Sequence, residues 1–164
     1  MADQAGADGV TRIVEVGAKA ETDREATAEC WVTMTPEAVA HLLSGTKKGD
    51  PIATAKIAGV MGVKRTPDLL PHCHPIRVTG ADVTIEPDAA SGRVRVQTTV
   101  RATDRTGVEM EALTAAAVAA LSLYDTAKAF DRAARIDGLR LLAKSGGKSG
   151  DYRAAVPGED PPAS

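Results

Sequence analysis

The chain has 164 residues, 43% of them hydrophobic and 26% charged, a composition sufficient for one globular domain with a buried core. A formal net charge of −2 and an aromatic content of 2% argue against a surface that binds nucleic acid through positive charge or base stacking. The sequence contains no apolar run long enough to span a membrane and no apolar segment of a signal peptide near its start.

Small and polar residues make up both ends of the chain, and segments 1–9 and 157–164 are expected to be disordered. Residues 10–156 contain no linker, repeat or low-complexity block, which predicts a single domain. The two cysteines, Cys30 and Cys73, are isolated thiols rather than a disulfide framework, so a cytoplasmic location is expected.

The first half of the chain predicts one strand followed by two helices. Polar and small apolar residues alternate over residues 24–34, which is the period of a half-buried strand. Thr35 can cap a helix whose first position is proline, and this helix is expected to end at Gly45. Asp50 starts a second helix in the same way, and that helix is expected to reach Lys64.

The second half predicts a hairpin, a long helix and a final strand. Alternating residues over 76–86 and 93–103 flank the turn-forming segment PDAASG, which predicts an antiparallel hairpin. A helix is expected over 109–132, and a strand over 135–143 with a break near Gly138. This order of elements predicts an α+β fold, a ferredoxin-like split βαβ sandwich with an additional helix, in which helices cover one face of an antiparallel sheet.

The long helix carries no charge on any side over residues 112–124. A helix that is apolar all round is buried all round. Because one sheet face cannot cover every side of a helix, we expect a partner chain to cover the remainder in a closed homo-oligomer.

His72 and His74 flank Cys73 in the segment LLPHCHPI, in which two prolines disfavour helix. In an extended segment residues i and i+2 share a face, so both imidazoles are expected to converge on one ligand while Cys73 points to the opposite face. Substrate contact or proton transfer, zinc binding and a purely structural role are all compatible with this spacing. His41 is expected to be an ordinary surface residue on the first helix.

The segment KSGGKSGD, residues 144–151, resembles the end of a phosphate-binding loop. The full motif requires glycine where this chain has Leu142, and it requires a following helix, so a nucleotide-hydrolysing loop is not predicted. Flexible glycines and two lysines still favour phosphate as a ligand, and a solvated loop is the alternative.

Asp125 and Lys128 lie three positions apart at the polar end of the long helix, hence on one face. A local ion pair is one interpretation, and acid–base chemistry at the edge of a buried surface is the other. Glu109 and Glu111 open the same helix, where the helix dipole favours carboxylates. Lysines also precede the second helix, so the segments together favour an enzyme for a small, multiply anionic substrate.

Four segments taken together closely resemble the MoaC family of cyclic pyranopterin monophosphate synthases. The segments are AKAETDREATAE, KGDPIATAKIAGVMGVKRTPDLLPHCHPI, TGVEMEALTAAAVAALSLYDTAKA and LLAKSGGKSGD, and the resemblance runs from about residue 11 to residue 152. It implies a ferredoxin-like fold assembled as a homohexamer, a trimer of dimers with active sites at the dimer interfaces.

The resemblance also implies a lyase of molybdenum cofactor biosynthesis that needs no metal and no organic cofactor. Its substrate would be a cyclised dihydro-GTP, (8S)-3′,8-cyclo-7,8-dihydroguanosine 5′-triphosphate. This compound would be rearranged to cyclic pyranopterin monophosphate with release of pyrophosphate.

Individual residues acquire expected roles from the same resemblance. Asp125 and Lys128, in YDTAK, match the catalytic aspartate and lysine of the family. The matches to its substrate-contacting positions are His72, Cys73, His74, Glu109, Met110, Glu111, Lys48 and Lys144, with Lys64 and Lys148 as weaker candidates.

His72 departs from the family pattern, which usually has an aliphatic residue at this position. The resemblance therefore disfavours metal binding by His72 and His74. Two alternative functions stay open: a ferredoxin-like regulator that binds nucleotides without converting them, and a small metalloenzyme that a chelator would inactivate.

Overall fold

The computed structural model describes residues 11–155 as an antiparallel sheet covered on one face by helices. The elements in chain order are β1 (Thr22–Thr33), α1 (Pro36–Leu43), α2 (Pro51–Leu69), β2 (Val78–Asp88), β3 (Arg93–Asp104), α3 (Glu109–Ala127), β4 (Arg135–Ser145) and β5 (Tyr152–Arg153). The strands are arranged in the order β2-β3-β1-β4-β5, and all pairs are antiparallel. The predicted α+β class is confirmed, whereas β5 was not predicted.

Both N-terminal helices begin where the sequence predicts. The Thr35 hydroxyl accepts a hydrogen bond from the Ala38 N–H at 3.2 Å. The Asp50 carboxylate accepts from the N–H groups of Ile52 and Ala53 at 2.8 and 3.1 Å. These side chains satisfy amides that the first turn of a helix leaves unpaired.

The second helix, α2, continues to Leu69 instead of ending near Lys64, and it runs through Pro67. Proline has no N–H, so one backbone hydrogen bond is missing in the last turn. The fully buried Thr66 holds this turn, because its hydroxyl donates to the Gly62 carbonyl at 3.0 Å. Burial of the helix face that carries Thr66 thus allows α2 to continue beyond Pro67 to Leu69.

Alternate residues of β1 and β3 face the helices and form the core with the alanines of α3. Two side chains of the sheet anchor α3 directly. The Thr98 hydroxyl donates to the Ala112 carbonyl at 2.7 Å. The Cys30 thiol donates to the Ala116 carbonyl at 3.4 Å, and burial raises its pKa to about 12, so it keeps its proton. These bonds fix the position of α3 along the sheet.

Small residues bring α2 close to a second side of α3. A Cβ atom on Gly59 would lie 3.2 Å from the Ala115 carbonyl oxygen, and one on Gly62 would lie 3.2 Å from the Ala115 Cα. The sequence predicts a partner chain over the sides of α3 that the sheet leaves open, and in the structure α2 covers one of those sides. Leu121 nevertheless remains 57% exposed.

The long helix α3 ends at Ala127 instead of residue 132. Tertiary contacts override the helix-forming composition of the residues that follow. The Asp131 carboxylate accepts a hydrogen bond from the Thr35 N–H at 2.9 Å, and the Phe130 ring stacks on His41. His41 is exposed as predicted, although it is not without a contact.

The predicted break in β4 is confirmed at Gly138, which has a φ of +65° beside a shift in the register with β1. The segments predicted to be disordered, 1–9 and 157–164, lie outside the described residues. No helix within residues 11–155 is long and apolar enough to cross a membrane.

Candidate active site

The candidate residues lie in two groups, one at each end of α3. The N-terminal cluster is formed by His72, Cys73, His74, Glu109, Met110, Glu111 and Lys144. The C-terminal cluster is formed by Lys48, Asp125 and Lys128. Because α3 has 19 residues, its two ends are about 27 Å apart at the helical rise of 1.5 Å per residue.

The members of the N-terminal cluster other than Lys144 line an open cavity of about 300 Å³. One wall is the segment His72 to His74, which follows α2, and the other is the first turn of α3 with the loop that precedes it. Two segments that are far apart in sequence, HCH and EME, therefore meet at one cavity.

Residues 70–73 form a turn, so the prediction of a fully extended segment is wrong at this point. The Cys73 N–H donates to the Leu70 carbonyl at 3.0 Å, and proline is favoured inside such a turn. As a result Cys73 lines the same cavity as His74. Burial, followed by the charge of Glu111, raises the pKa of the Cys73 thiol, which makes it a poor nucleophile at neutral pH.

His72 contacts the segment that precedes β1. Its Nδ1 lies 3.2 Å from the Arg12 carbonyl oxygen. Because a carbonyl only accepts hydrogen bonds, this nitrogen carries a proton. Among residues 11–155 no group of three or more His, Cys, Asp and Glu side chains is arranged to hold a metal ion.

Glu111 is 2% exposed, and neither of its carboxylate oxygens accepts a hydrogen bond from another described residue. Burial, and then repulsion by Glu109, raise the pKa of Glu111 to about 7, although its own backbone N–H opposes the shift. Near neutral pH this carboxyl can therefore donate a hydrogen bond or accept one. Glu111 also lines a largely apolar cavity of about 680 Å³ beside α2, which Lys64 lines as well.

A larger cavity of about 850 Å³ adjoins the N-terminal cluster. Its basic lining residues are Lys19, Arg24, Arg105, Lys144 and Lys148. The Lys144 ammonium lies 3.0 Å from a carboxylate oxygen of Glu109 and 3.3 Å from the Ser149 hydroxyl. Five cationic side chains around one space are suited to a ligand that carries several phosphates.

The glycine loop that begins at residue 146 folds around Arg24. Gly146 and Gly147 have φ angles of +88° and +81°, which favour glycine. The Arg24 guanidinium donates to the Gly146 carbonyl at 3.2 Å and occupies the space that a Cβ on Gly147 would need. The loop is followed by β5 and not by the helix that a nucleotide-hydrolysing phosphate loop requires.

Three basic residues of this cavity, Lys19, Arg24 and Arg105, were missed in the sequence. The predicted antiparallel pairing could have indicated these residues, because it places the start of β1 beside the ends of β3 and β4. In the structure Glu25 pairs with Ser145 at this edge of the sheet. Basic residues close to those three strand termini could have been assigned to one site.

The C-terminal cluster is an exposed ion pair with a lysine nearby. The Lys128 ammonium lies 2.7 Å from a carboxylate oxygen of Asp125, and the two side chains are 57% and 64% exposed. The hydrogen bond and charge of Lys128, with a smaller contribution from Lys48, lower the pKa of Asp125. The same pair raises the pKa of Lys128. Both groups are therefore charged at neutral pH.

The sequence of this chain is similar to those of known proteins over nearly its whole length. The model of the MoaC family matches residues 13–147. A protein named cyclic pyranopterin monophosphate synthase from Brucella ovis is 51% identical over 150 residues, which cover 91% of this chain and 91% of the relative. Proteins of the same name from Brucella melitensis and Brucella abortus have the same identity and coverage.

Proposed function

Because the chain belongs to the MoaC family, we propose that it acts as a cyclic pyranopterin monophosphate synthase in molybdenum cofactor biosynthesis. It converts the cyclised dihydro-GTP to cyclic pyranopterin monophosphate and releases pyrophosphate, as a lyase. The catalytic domain spans residues 10–156, and two free thiols fit a reducing cytoplasm.

The observation that carries the proposal is the pair of adjoining cavities at the N-terminal end of α3. The smaller cavity offers groups that can contact a ring system, among them the carboxyl of Glu111, which has no hydrogen-bond partner among the other described residues. The larger cavity offers the cations that a triphosphate requires. Both cavities are lined by Thr106, Gly107 and Glu109, so one ligand can extend from the first into the second.

The catalytic pair lies too far from these cavities to act on the same ligand within one chain. Glu111 is in the first turn of α3 and Asp125 is in the last, so roughly 20 Å separate them along the helix axis. A general acid or base must lie within about 3 Å of the proton that it moves. Each complete site therefore combines the N-terminal cluster of one protomer with the C-terminal cluster of another.

The surface of α3 supports such an assembly. Leu121 is 57% exposed on α3, and Ile57 on the neighbouring α2 is 66% exposed. Exposed apolar side chains on paired helices are typical of a surface that a second chain covers. A ferredoxin-like homohexamer, a trimer of dimers with sites at the dimer interfaces, meets this requirement.

The charged pair suggests how the chemical work is divided. Lys128 is held protonated and serves as the general acid, while Asp125 is held ionised and serves as the base during ring opening and reclosure. His74 orients the substrate from the N-terminal cluster. Formation of the cyclic phosphate requires a ribose hydroxyl to attack the α-phosphorus in line, which is mainly a matter of positioning and charge stabilisation.

The test is an anaerobic incubation of the EDTA-treated protein with the cyclised dihydro-GTP, in which pyrophosphate and pterin are measured together. We expect stoichiometric release of both. Binding without release would identify a nucleotide-binding regulator instead. Loss of activity on chelation, with stoichiometric metal in the untreated protein, would identify a metalloenzyme.

A further inference from the structure

The segment that follows α3, residues 128–134, leaves the helix through a turn that we call the exit turn. The N–H groups of Phe130 and Asp131 both donate to the Ala127 carbonyl at 2.8 Å, which ends the helix tightly. The exit turn begins with Lys128, a residue of the C-terminal cluster. Contacts that fix the position of the exit turn therefore also fix the backbone of Lys128.

Asp131 ties the exit turn to the beginning of α1. One carboxylate oxygen accepts the Thr35 N–H at 2.9 Å and the other accepts the Ala133 N–H at 2.8 Å. Thr35 is the N-cap of α1, so Asp131 bonds to the residue from which that helix starts. Hydrogen bonds to an ionised acceptor are among the stronger ones in proteins.

Phe130 ties the same turn to the other end of α1. Its ring stacks on His41 with a centroid distance of 4.3 Å and an angle of 9° between the ring planes. Since α1 has eight residues, the two attachments are separated by roughly 10 Å along its axis. Two separated attachments fix the orientation of α1 against the exit turn as well as its distance.

The loop after α1 carries Lys48, the third member of the C-terminal cluster. Thr46 and Gly49 exchange two backbone hydrogen bonds of 3.0 Å, and the Lys48 N–H donates to the Thr46 hydroxyl at 3.1 Å. The loop is thus a closed turn that directly follows α1. The charge of Lys48 contributes a small part of the lowered pKa of Asp125 at the end of α3.

We infer that Phe130, His41 and Asp131 are positioning residues that hold Lys48 in register with Asp125 and Lys128. They act through α1, which is attached to the exit turn at both ends. The inference rests on the proposed function, because it assigns these three residues to the same reaction. None of them needs to touch the substrate.

The position of the aromatic pair favours this role over a contribution to the core. Phe130 is 47% exposed and His41 is exposed, so their contact removes little apolar surface from water. What the stack does is join two segments that carry members of one charged cluster. A displacement of about 1 Å in such a cluster can lower a rate by up to about a hundredfold.

The experiment compares Phe130→Ala and His41→Ala with the conservative variants Phe130→Tyr and His41→Tyr. We expect both alanine variants to lower kcat about tenfold with KM nearly unchanged, and both tyrosine variants to keep the wild-type kcat. Leu139→Ala is the matched control, since Leu139 is also 47% exposed and belongs to neither cluster. Equal loss of kcat in this control, or unchanged kcat in both alanine variants, would overturn the inference.

A second measurement separates this inference from the proposed function. The pKa of the Asp125 carboxyl is followed by carbon NMR in the absence of substrate, in the wild type, Phe130→Ala and Leu139→Ala. We expect it to rise slightly in Phe130→Ala alone, because Lys48 is no longer held near it, whereas the local pair with Lys128 remains. If the wild type fails to turn over the cyclised dihydro-GTP, the proposed function is wrong. An unchanged Asp125 pKa in Phe130→Ala would then still reject the positioning role.

Discussion

The two ends of α3 present titratable groups in opposite environments. At the N-terminal end Glu111 is 2% exposed and accepts no hydrogen bond from any other residue within 11–155, and burial raises its pKa to about 7. At the C-terminal end Asp125 and Lys128 are paired and exposed, and their pKa values move apart. At the first end the carboxylate of Glu111 is buried within its own chain, whereas both charged groups at the second end are exposed to solvent. The same helix therefore carries a buried carboxyl beside a cavity at one end and an exposed ion pair at the other.

The largest effect is expected at the open end. Replacement of Lys128 by Ala should lower kcat by about 10²- to 10⁴-fold, because it removes the proposed general acid. The fold should be unaffected, since the side chain is 57% exposed. Single-turnover measurement of pterin and pyrophosphate tests this, with Lys56→Ala on the exposed side of α2 as the control. A variant that turned over at a nearly normal rate would remove Lys128 from the acid–base role.

The buried carboxyl of Glu111 at the N-terminal end of α3 should make the free energy of unfolding depend on pH. In the wild type the folded state keeps the Glu111 proton up to a pH of about 7, whereas the unfolded state releases it near 4.5. The contribution of Glu111 to the free energy of unfolding therefore falls as pH rises between these values and no longer changes above them. The shift corresponds to at most about 3 kcal/mol, at 1.36 kcal/mol per unit of pKa.

The variant Glu111→Gln should lack this contribution, because an amide does not titrate. Urea unfolding at pH 5 and pH 8, at one protein concentration, should show a smaller loss of stability for the variant than for the wild type. Equal losses in the two proteins would mean that Glu111 ionises normally. In that case burial does not raise the pKa of Glu111 to about 7.

A smaller effect is expected where the two cavities meet. Lys144→Gln should raise KM about tenfold and change kcat less, because a phosphate contact acts on bound substrate and transition state alike. Lys144→Arg should retain most of the affinity, since it retains the charge. Steady-state kinetics at low and moderate salt test this prediction. A fall in kcat with unchanged KM would instead assign Lys144 to the chemical step.

Local sequence signals account for most of the fold. The two cap-and-proline starts, the alternating strands and the break at Gly138 each depend on residues close in the sequence, and each was predictable. The ends of the helices were not. The end of α3 depends on Asp131 and Phe130 meeting α1, and the length of α2 depends on the burial of Thr66, both of which are tertiary effects.

For the candidate site, too, the sequence identified residues but not the positions that depend on tertiary contacts. The resemblance assigned the HCH and YDTAK segments, but it gave no distance between them. The turn at residues 70–73 and the position of Arg24 at the phosphate-like loop depend on contacts between distant segments. The separation of the two clusters became evident only once both were located on one straight helix.

The central claim is that each site uses the two ends of α3 from different protomers, and subunit complementation tests it most directly. Two variants that are expected to lose activity on their own, His74→Ala and Lys128→Ala, are refolded together. If sites are shared across a two-fold interface, random mixing should restore about one quarter of the wild-type activity, because half of the dimers contain one intact site. A mixture of Asp125→Ala and Lys128→Ala, altered at the same end, should stay inactive. No recovery in the first mixture, with mixed oligomers demonstrated by mass spectrometry, would contradict the account.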